Sequence, residues 1–171
     1  KVGDGIYAVC AGVNAPAFLY NKTLTDELGI EVPAINLTWD EFAEISRKIY
    51  AEKGIGVIFG QGNSENPLTY YARSLGYQAL WDANGVIPTA EEMTGYYQRL
   101  LDCVAEGWLF DTDRIANVNV TDLAQNPLVY GTTNDVRTWC AFAFSNQIAA
   151  FQRAADADGI ELGMSSWASD D

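Results

Sequence analysis

Twice in this chain a threonine is followed three residues later by a glutamate, and each time an apolar stripe at helical spacing comes next. Thr38 and Glu41 introduce Phe42, Ile45 and Ile49; Thr89 and Glu92 introduce Met93, Tyr96, Tyr97, Leu100 and Val104. Such a pair is a capping box: hydroxyl and carboxylate each take a backbone N–H that the first helical turn leaves bare. Two helix starts are thereby set, and Gly54 and Gly107 supply the matching stops. Short apolar runs alternate with these helices. One strand is expected over residues 6–13, resuming after Asn14, Ala15 and Pro16 as far as Tyr20; others are expected at 56–59, 139–144 and 161–165. A short helix near 24–28, one starting at Asn66 and Pro67, and one capped by Ser145 and running to about Ala157 complete the pattern. Residues 108–135 read as loops around one short helix capped at Thr121. Strands alternating with amphipathic helices specify an α/β layer structure.

The 171 residues amount to one domain, with 49% hydrophobic and 19% charged residues, the balance of a folded globular chain. No apolar run approaches the roughly 20 residues a membrane-spanning helix needs. Ten Lys and Arg against 23 Asp and Glu leave a net charge of −13. A surface of that sign repels phosphate backbones and anionic membranes, so neither nucleic acid nor a membrane is an expected partner. Histidine is absent, which removes the usual neutral-pH base, the Ser-His-Asp and Cys-His arrangements and the commonest zinc ligand. Cys10, Cys103 and Cys140 show no CxxC spacing and lie in apolar surroundings, as buried thiols do; a Cys10–Cys140 bridge between strands of one sheet stays open.

Three places could carry chemistry. Asn14, an amide between two strand halves and flanked by small residues, can donate to and accept from a ligand, or can simply form the turn. The loop 60–66 joins a strand's carboxyl end to a helix start, where open α/β sheets bind ligands. Asn63, Glu65 and Asn66 there supply donors and acceptors suited to sugar hydroxyls, although Asn66 also suits a helix cap. In the run 139–148, strand alternation sets Phe142 and Phe144 on one face beside Ser145 and Asn146. An aromatic plate beside amides suits a sugar ring, and equally suits a core. Among paired carboxylates, Asp40/Glu41 and Glu91/Glu92 answer helix dipoles. Asp111 and Asp113 form the loop pair a glycosidase could use, without the spacing of a calcium loop. The sequons at Asn21, Asn36 and Asn119 are weak three-residue patterns.

In order along the chain, four segments resemble bacterial extracellular solute-binding proteins, the carbohydrate-type receptors of ABC importers. Residues 7–22, ending in Tyr20, Asn21 and Lys22, are similar to the strand by which that family crosses between its two lobes. Glu31, Val32 and Pro33 followed by Thr38-Trp39-Asp40-Glu41-Phe42 resemble its "P.TWDEF" helix start, the most specific motif here. Phe142 to Gln147 is similar to the strand-to-helix turn that offers the ligand an aromatic and polar groups, and 162–166 to the strand returning to the first lobe. The resemblance implies one lobe, residues 1–171, of a periplasmic-binding-protein-like type II fold, with a central mixed, mostly parallel sheet flanked by helices. It implies a missing first lobe, a sugar solute, an ABC permease as partner and an extracellular or periplasmic, lipid-anchored location. No catalysis, cofactor or metal is implied. Ligand contacts would fall on Asn14, Asn63, Glu65, Asn66, Phe142 and Asn146. The sequence departs from the family at Cys10, where proline is common, at Phe142, often tryptophan, and at Trp167 and Ala168, which replace a typical Leu-Pro. Two other functions remain open: a glycoside-processing domain using Asp111 and Asp113, and a self-contained carbohydrate or protein interaction module.

Overall fold

Phe18 and Leu19 are neighbours in sequence and both fully buried, which a strand allows only when both of its faces are covered. A computed structural model describes residues 12, 14–59, 67–119, 122–130 and 136–169. In it these two residues sit on β1 (Pro16–Asn21), the middle strand of a sheet ordered β4–β1–β5, with β4 at Cys140–Phe144 and β5 at Leu162–Ser165. Both pairs are antiparallel, and the register sets Phe18 opposite Phe142 on one side and Ser165 on the other. Beyond β4 the pairing turns parallel, with Thr138 bridging Gly56 and Val57 bridging Leu109. There the Trp139 N–H donates to the Gly56 carbonyl at 3.1 Å and the Val57 N–H to the Trp108 carbonyl at 2.8 Å. The sheet is mixed, as expected, although the regular ladders are the antiparallel ones and single bridges carry the parallel part. The strand expected over 56–59 shrinks to those bridges. Gly56 passes so close to its neighbour that a Cβ there would lie 2.5 Å from the Trp108 carbonyl oxygen, which only glycine permits.

Helices cover the two faces. Helix α1 (Lys22–Glu27) starts at Asn21, whose Oδ1 accepts the Leu24 N–H at 2.9 Å. Helix α2 (Trp39–Lys53) carries both bonds of its capping box and ends at left-handed Gly54, φ 68°. With Phe42 and Ile49 it covers the Phe18 face, joined there by Trp108 and Trp139. The opposite face holds Leu19 and Ala143 against Phe151 and Ala155 of α6 (Ile148–Ala155). Helix α3 (Pro67–Ser74) and α4 (Ala90–Ala105) pack together through Leu68, Ala72 and Tyr96, with a two-residue-stranded hairpin, β2 (Trp81–Asp82) and β3 (Gly85–Val86), between them. The Thr89–Glu92 box is complete. Helix α5 (Thr112–Ile115) is a single turn. No helix among the described residues is long and apolar enough to cross a membrane.

Three expectations change. Tyr97, placed on the inner stripe of α4, is 52% exposed, and Cys103 takes the inner position. Ser145 does not cap α6: its Oγ accepts the Ala15 N–H at 3.1 Å, and Gln147 Oε1 takes the Phe144 N–H at 2.9 Å across a 3-10 turn. Residues 81–86, where no strand is expected, form a hairpin turning between Asp82 and Gly85, for which Asn84-Gly85 is a signal. The strand expected over 6–13, Cys10, Asn66 and the Thr121 cap lie outside the described residues.

Ser46 is fully buried under this face; its hydroxyl donates to the Phe42 carbonyl at 2.8 Å and accepts the Trp139 indole N–H at 3.1 Å. Ser46→Ala leaves that indole N–H unpaired and should cost about 1–3 kcal/mol in urea unfolding, with the m-value unchanged. A second expectation concerns acid. The Thr38 and Thr89 N–H groups hold the Glu41 and Glu92 carboxyls below the ordinary 4.5. With the folded value depressed, their contribution is complete above the unfolded value and is lost as pH falls through the folded one. Replacing both by Gln should therefore flatten the acid side of the stability–pH curve and leave the neutral-to-alkaline side parallel to wild type, as read by thermal melts across pH.

Candidate functional site

The Phe18 cluster does not stop inside the protein. Phe42 and Phe142, which pack on Phe18 at 5.6 and 5.5 Å between ring centroids, also line an open cleft. The cleft's void, including the part open to solvent, is about 420 Å³. Trp39 joins Phe42 from the first turn of α2, and four further parts of the chain contribute rings: Phe59 after the parallel bridge, Tyr70 and Tyr71 from α3, Tyr96 from α4, and Trp167 after β5. Trp167 stacks on Tyr70 at 4.0 Å with an interplanar angle of 26° and leans on Phe142 at 4.3 Å, while Phe59 meets Phe142 at 5.1 Å. Among the described residues no acidic side chain lines the cleft and the one charged group is Arg99 of α4, which lies over the Trp39 and Tyr71 rings at 5.1 and 5.5 Å. Such a lining offers flat apolar area with a few polar edges, which suits the C–H faces of an uncharged, hydroxyl-rich ring.

Of the residues singled out from sequence, Phe142 lines the cleft. Its partner Phe144 is half-buried outside it. Asn14 and Asn146 are both exposed and do not line the cleft, yet the fold brings them to one end of the sheet. The β1–β4 register continues past Pro16 and Phe144, where Ser145 N–H donates to the Ala15 carbonyl at 2.8 Å, so the two amides come next on either strand. Asn63, Glu65 and Asn66 lie outside the described residues; Phe59 and Pro67, the described residues flanking that segment, both line the cleft. The sequence reading missed Trp39, Phe59, Tyr70, Tyr71, Arg99 and Trp167. Trp167 alone carried a signal, as the aromatic that stands in place of a typical leucine.

This arrangement is the fold of one lobe of an ABC-importer solute-binding protein. The chain superimposes over 91% of its length on an extracellular solute-binding protein family 1 member from Alicyclobacillus acidocaldarius, with a TM-score of 0.70 and 17% identity. It matches an ABC substrate-binding protein from Listeria monocytogenes, solved with cycloalternan, at TM-score 0.67 and 15% identity over 91% of the chain. The GacH receptor of Streptomyces glaucescens, solved unliganded and with acarbose, matches at TM-score 0.62 and 19% identity over 91% of the chain. The chain spans 37%, 37% and 38% of those three proteins. A curated relative, the multiple sugar-binding protein of Streptococcus mutans, is 42% identical over 53 residues, 31% of this chain and 12% of that protein. No protein-family model matches the chain. The resemblance read from the sequence is thus borne out at the level of the fold, and these similar proteins are binding proteins rather than enzymes.

The loop carboxylates that a glycoside-processing domain could use stand away from the cleft. Asp111 caps α5, its Oδ1 accepting the Arg114 N–H at 2.8 Å, and Asp113 is exposed in the same turn; neither lines the cleft. Among the described residues no three His, Cys, Asp or Glu side chains gather as a metal site would. Cys103 and Cys140 are buried free thiols. Burial pushes Cys103 up to about 11 and Cys140 well above the ordinary thiol value. In a Cys10→Ser background both should therefore resist a thiol-selective disulfide reagent at neutral pH and react only in denaturant, as absorbance titration would show.

Proposed function

We propose that this chain is the non-catalytic, solute-binding lobe of an ABC-importer receptor and that its solute is a carbohydrate. The observation that carries the reading is the aromatic cleft built on Phe142, beside the strand end that sets Asn14 and Asn146 together. In this reading the rings take the C–H faces of a sugar, while Asn14, Asn146 and the loop residues Asn63, Glu65 and Asn66 take its hydroxyls. The cycloalternan and acarbose complexes of similarly folded proteins, and the sugar-binding name of the curated relative, support a sugar. Residues 1–171 form one lobe, a first lobe lies elsewhere in the intact protein, and the two close over the solute by hinge motion. The closed form is presented to a membrane permease outside the cytoplasm, with the receptor held at the surface by a lipid anchor.

The test is calorimetric titration of mono- to tetrasaccharides into the isolated 171-residue chain and into the intact gene product. Binding should be at least ~100-fold tighter in the intact protein, because one lobe holds only part of the contacts. Equal affinities would remove the half-site reading. Within the intact protein, Phe142→Ala should weaken the best sugar by about 10-fold, the contribution of one aromatic platform.

A further inference from the structure

The two fully buried indoles of this protein both have acceptors: Trp108 N–H donates to Glu106 at 2.6 Å and Trp139 N–H to Ser46 at 3.1 Å. Trp167 differs. Its indole nitrogen is covered and has no hydrogen-bond partner among the described residues. A covered donor without an acceptor is costly, and most native structures avoid it. Local looseness does not explain the orphan, because the backbone around Trp167 is tied to the 33–39 segment on both sides. Ser165 Oγ donates to the Pro33 carbonyl, Ser166 N–H to Ala34 at 3.2 Å, and Ser166 Oγ accepts the Leu37 N–H at 3.2 Å. Beyond it, Ser169 N–H donates to Leu37 at 3.0 Å and its carbonyl accepts the Trp39 N–H at 2.8 Å. The chain thus holds Trp167 firmly in the cleft wall with a donor that no described residue uses.

We infer that Trp167 is a specificity-determining residue of the cleft, whose indole N–H donates to a hydroxyl or ring oxygen of the bound sugar; this rests on the solute-binding reading above. Tyr70 covers one face of the indole at 4.0 Å and Phe142 leans on it at 4.3 Å. With these rings packed on it, Trp167 has its N–H edge left to offer, and a solute reaches it by displacing the groups that cover the nitrogen. Stacking alone tolerates any sugar with a flat C–H face, whereas a fixed donor selects those that set an oxygen at the indole edge. The orphan donor and the selectivity have one cause, since the acceptor arrives with the solute.

The experiment uses the intact gene product with indole-15N-labelled tryptophan and the tightest sugar of a mono- to tetrasaccharide panel. The Trp167 N–H signal, assigned by its loss in Trp167→Phe, should move downfield at saturation. Trp167→Phe should bind that sugar about 2- to 10-fold more weakly, the range of one net hydrogen bond. An indole signal unmoved at saturation overturns the assignment whatever the affinities, and so does equal binding by a folded Trp167→Phe. If that variant does not fold, a Trp167→Tyr variant assigns the signal and the shift decides alone. If the wild-type protein binds no sugar at all, the solute-binding reading fails and this inference with it; wild-type binding with an unmoved indole removes this inference only.

Discussion

Everything in this lobe leans on the packing around Phe18. Its ring touches Phe42, Trp139 and Phe142 at 5.3–5.6 Å, so one side chain joins the central strand, the first long helix and the neighbouring strand. Aromatic contacts of this kind carry both large buried area and preferred angles, which ties three elements to one geometry. The Trp139–Ser46 hydrogen bond then fixes α2 against β4 from beneath, with a polar pair where a purely apolar contact could slide. Because Phe42 and Phe142 belong at once to this cluster and to the cleft wall, the site inherits the rigidity of the core. A solute platform built this way needs no separate support.

The parts legible in the sequence were those set by local chemistry. Thr38 with Glu41 and Thr89 with Glu92 start α2 and α4 where the pattern puts them, since a capping box is satisfied within four residues and no distant contact can override it cheaply. The end of β4 was legible for the same reason. What failed depended on partners far along the chain. Ser145 looks like a cap in sequence, but Ala15, 130 residues away, claims its hydroxyl. Tyr97 fits the α4 stripe by spacing, yet Leu68, Ala72 and Leu80 pack on that part of the helix and meet Tyr96 instead.

The cleft itself was legible in kind and not in membership. One aromatic next to a strand end is a readable signal, and Phe142 does stand in the wall. The other rings come from segments whose convergence is set by the sheet order, which no window of sequence contains. Tyr70 and Trp167 are 97 residues apart and meet face on. The departure at Trp167 from the leucine of similar receptors was visible, but its meaning required knowing that the segment after β5 runs beside Pro33 and Leu37.

Charge and cleft follow opposite rules in this protein, and the contrast bears on what the cleft can select. The chain carries a net charge of −13, while no acidic residue among the described ones lines the cleft. The Arg99 guanidinium lies over two ring faces rather than standing free as a point charge. Screening in physiological salt fades the field of exposed acids within about 8 Å, so the surface charge governs solubility and discourages anionic partners at long range. Inside the cleft the discriminating forces are ring area and the positions of a few donors and acceptors. Ring area by itself separates solutes weakly, because one methylene more or less changes affinity only 10- to 200-fold at most by typical magnitudes. A polar group held rigidly in an apolar wall separates them further, since a solute that cannot meet it leaves it covered and unpaired. In the inferred role of Trp167, the tight backbone ties on either side of it are what give a single indole edge that power.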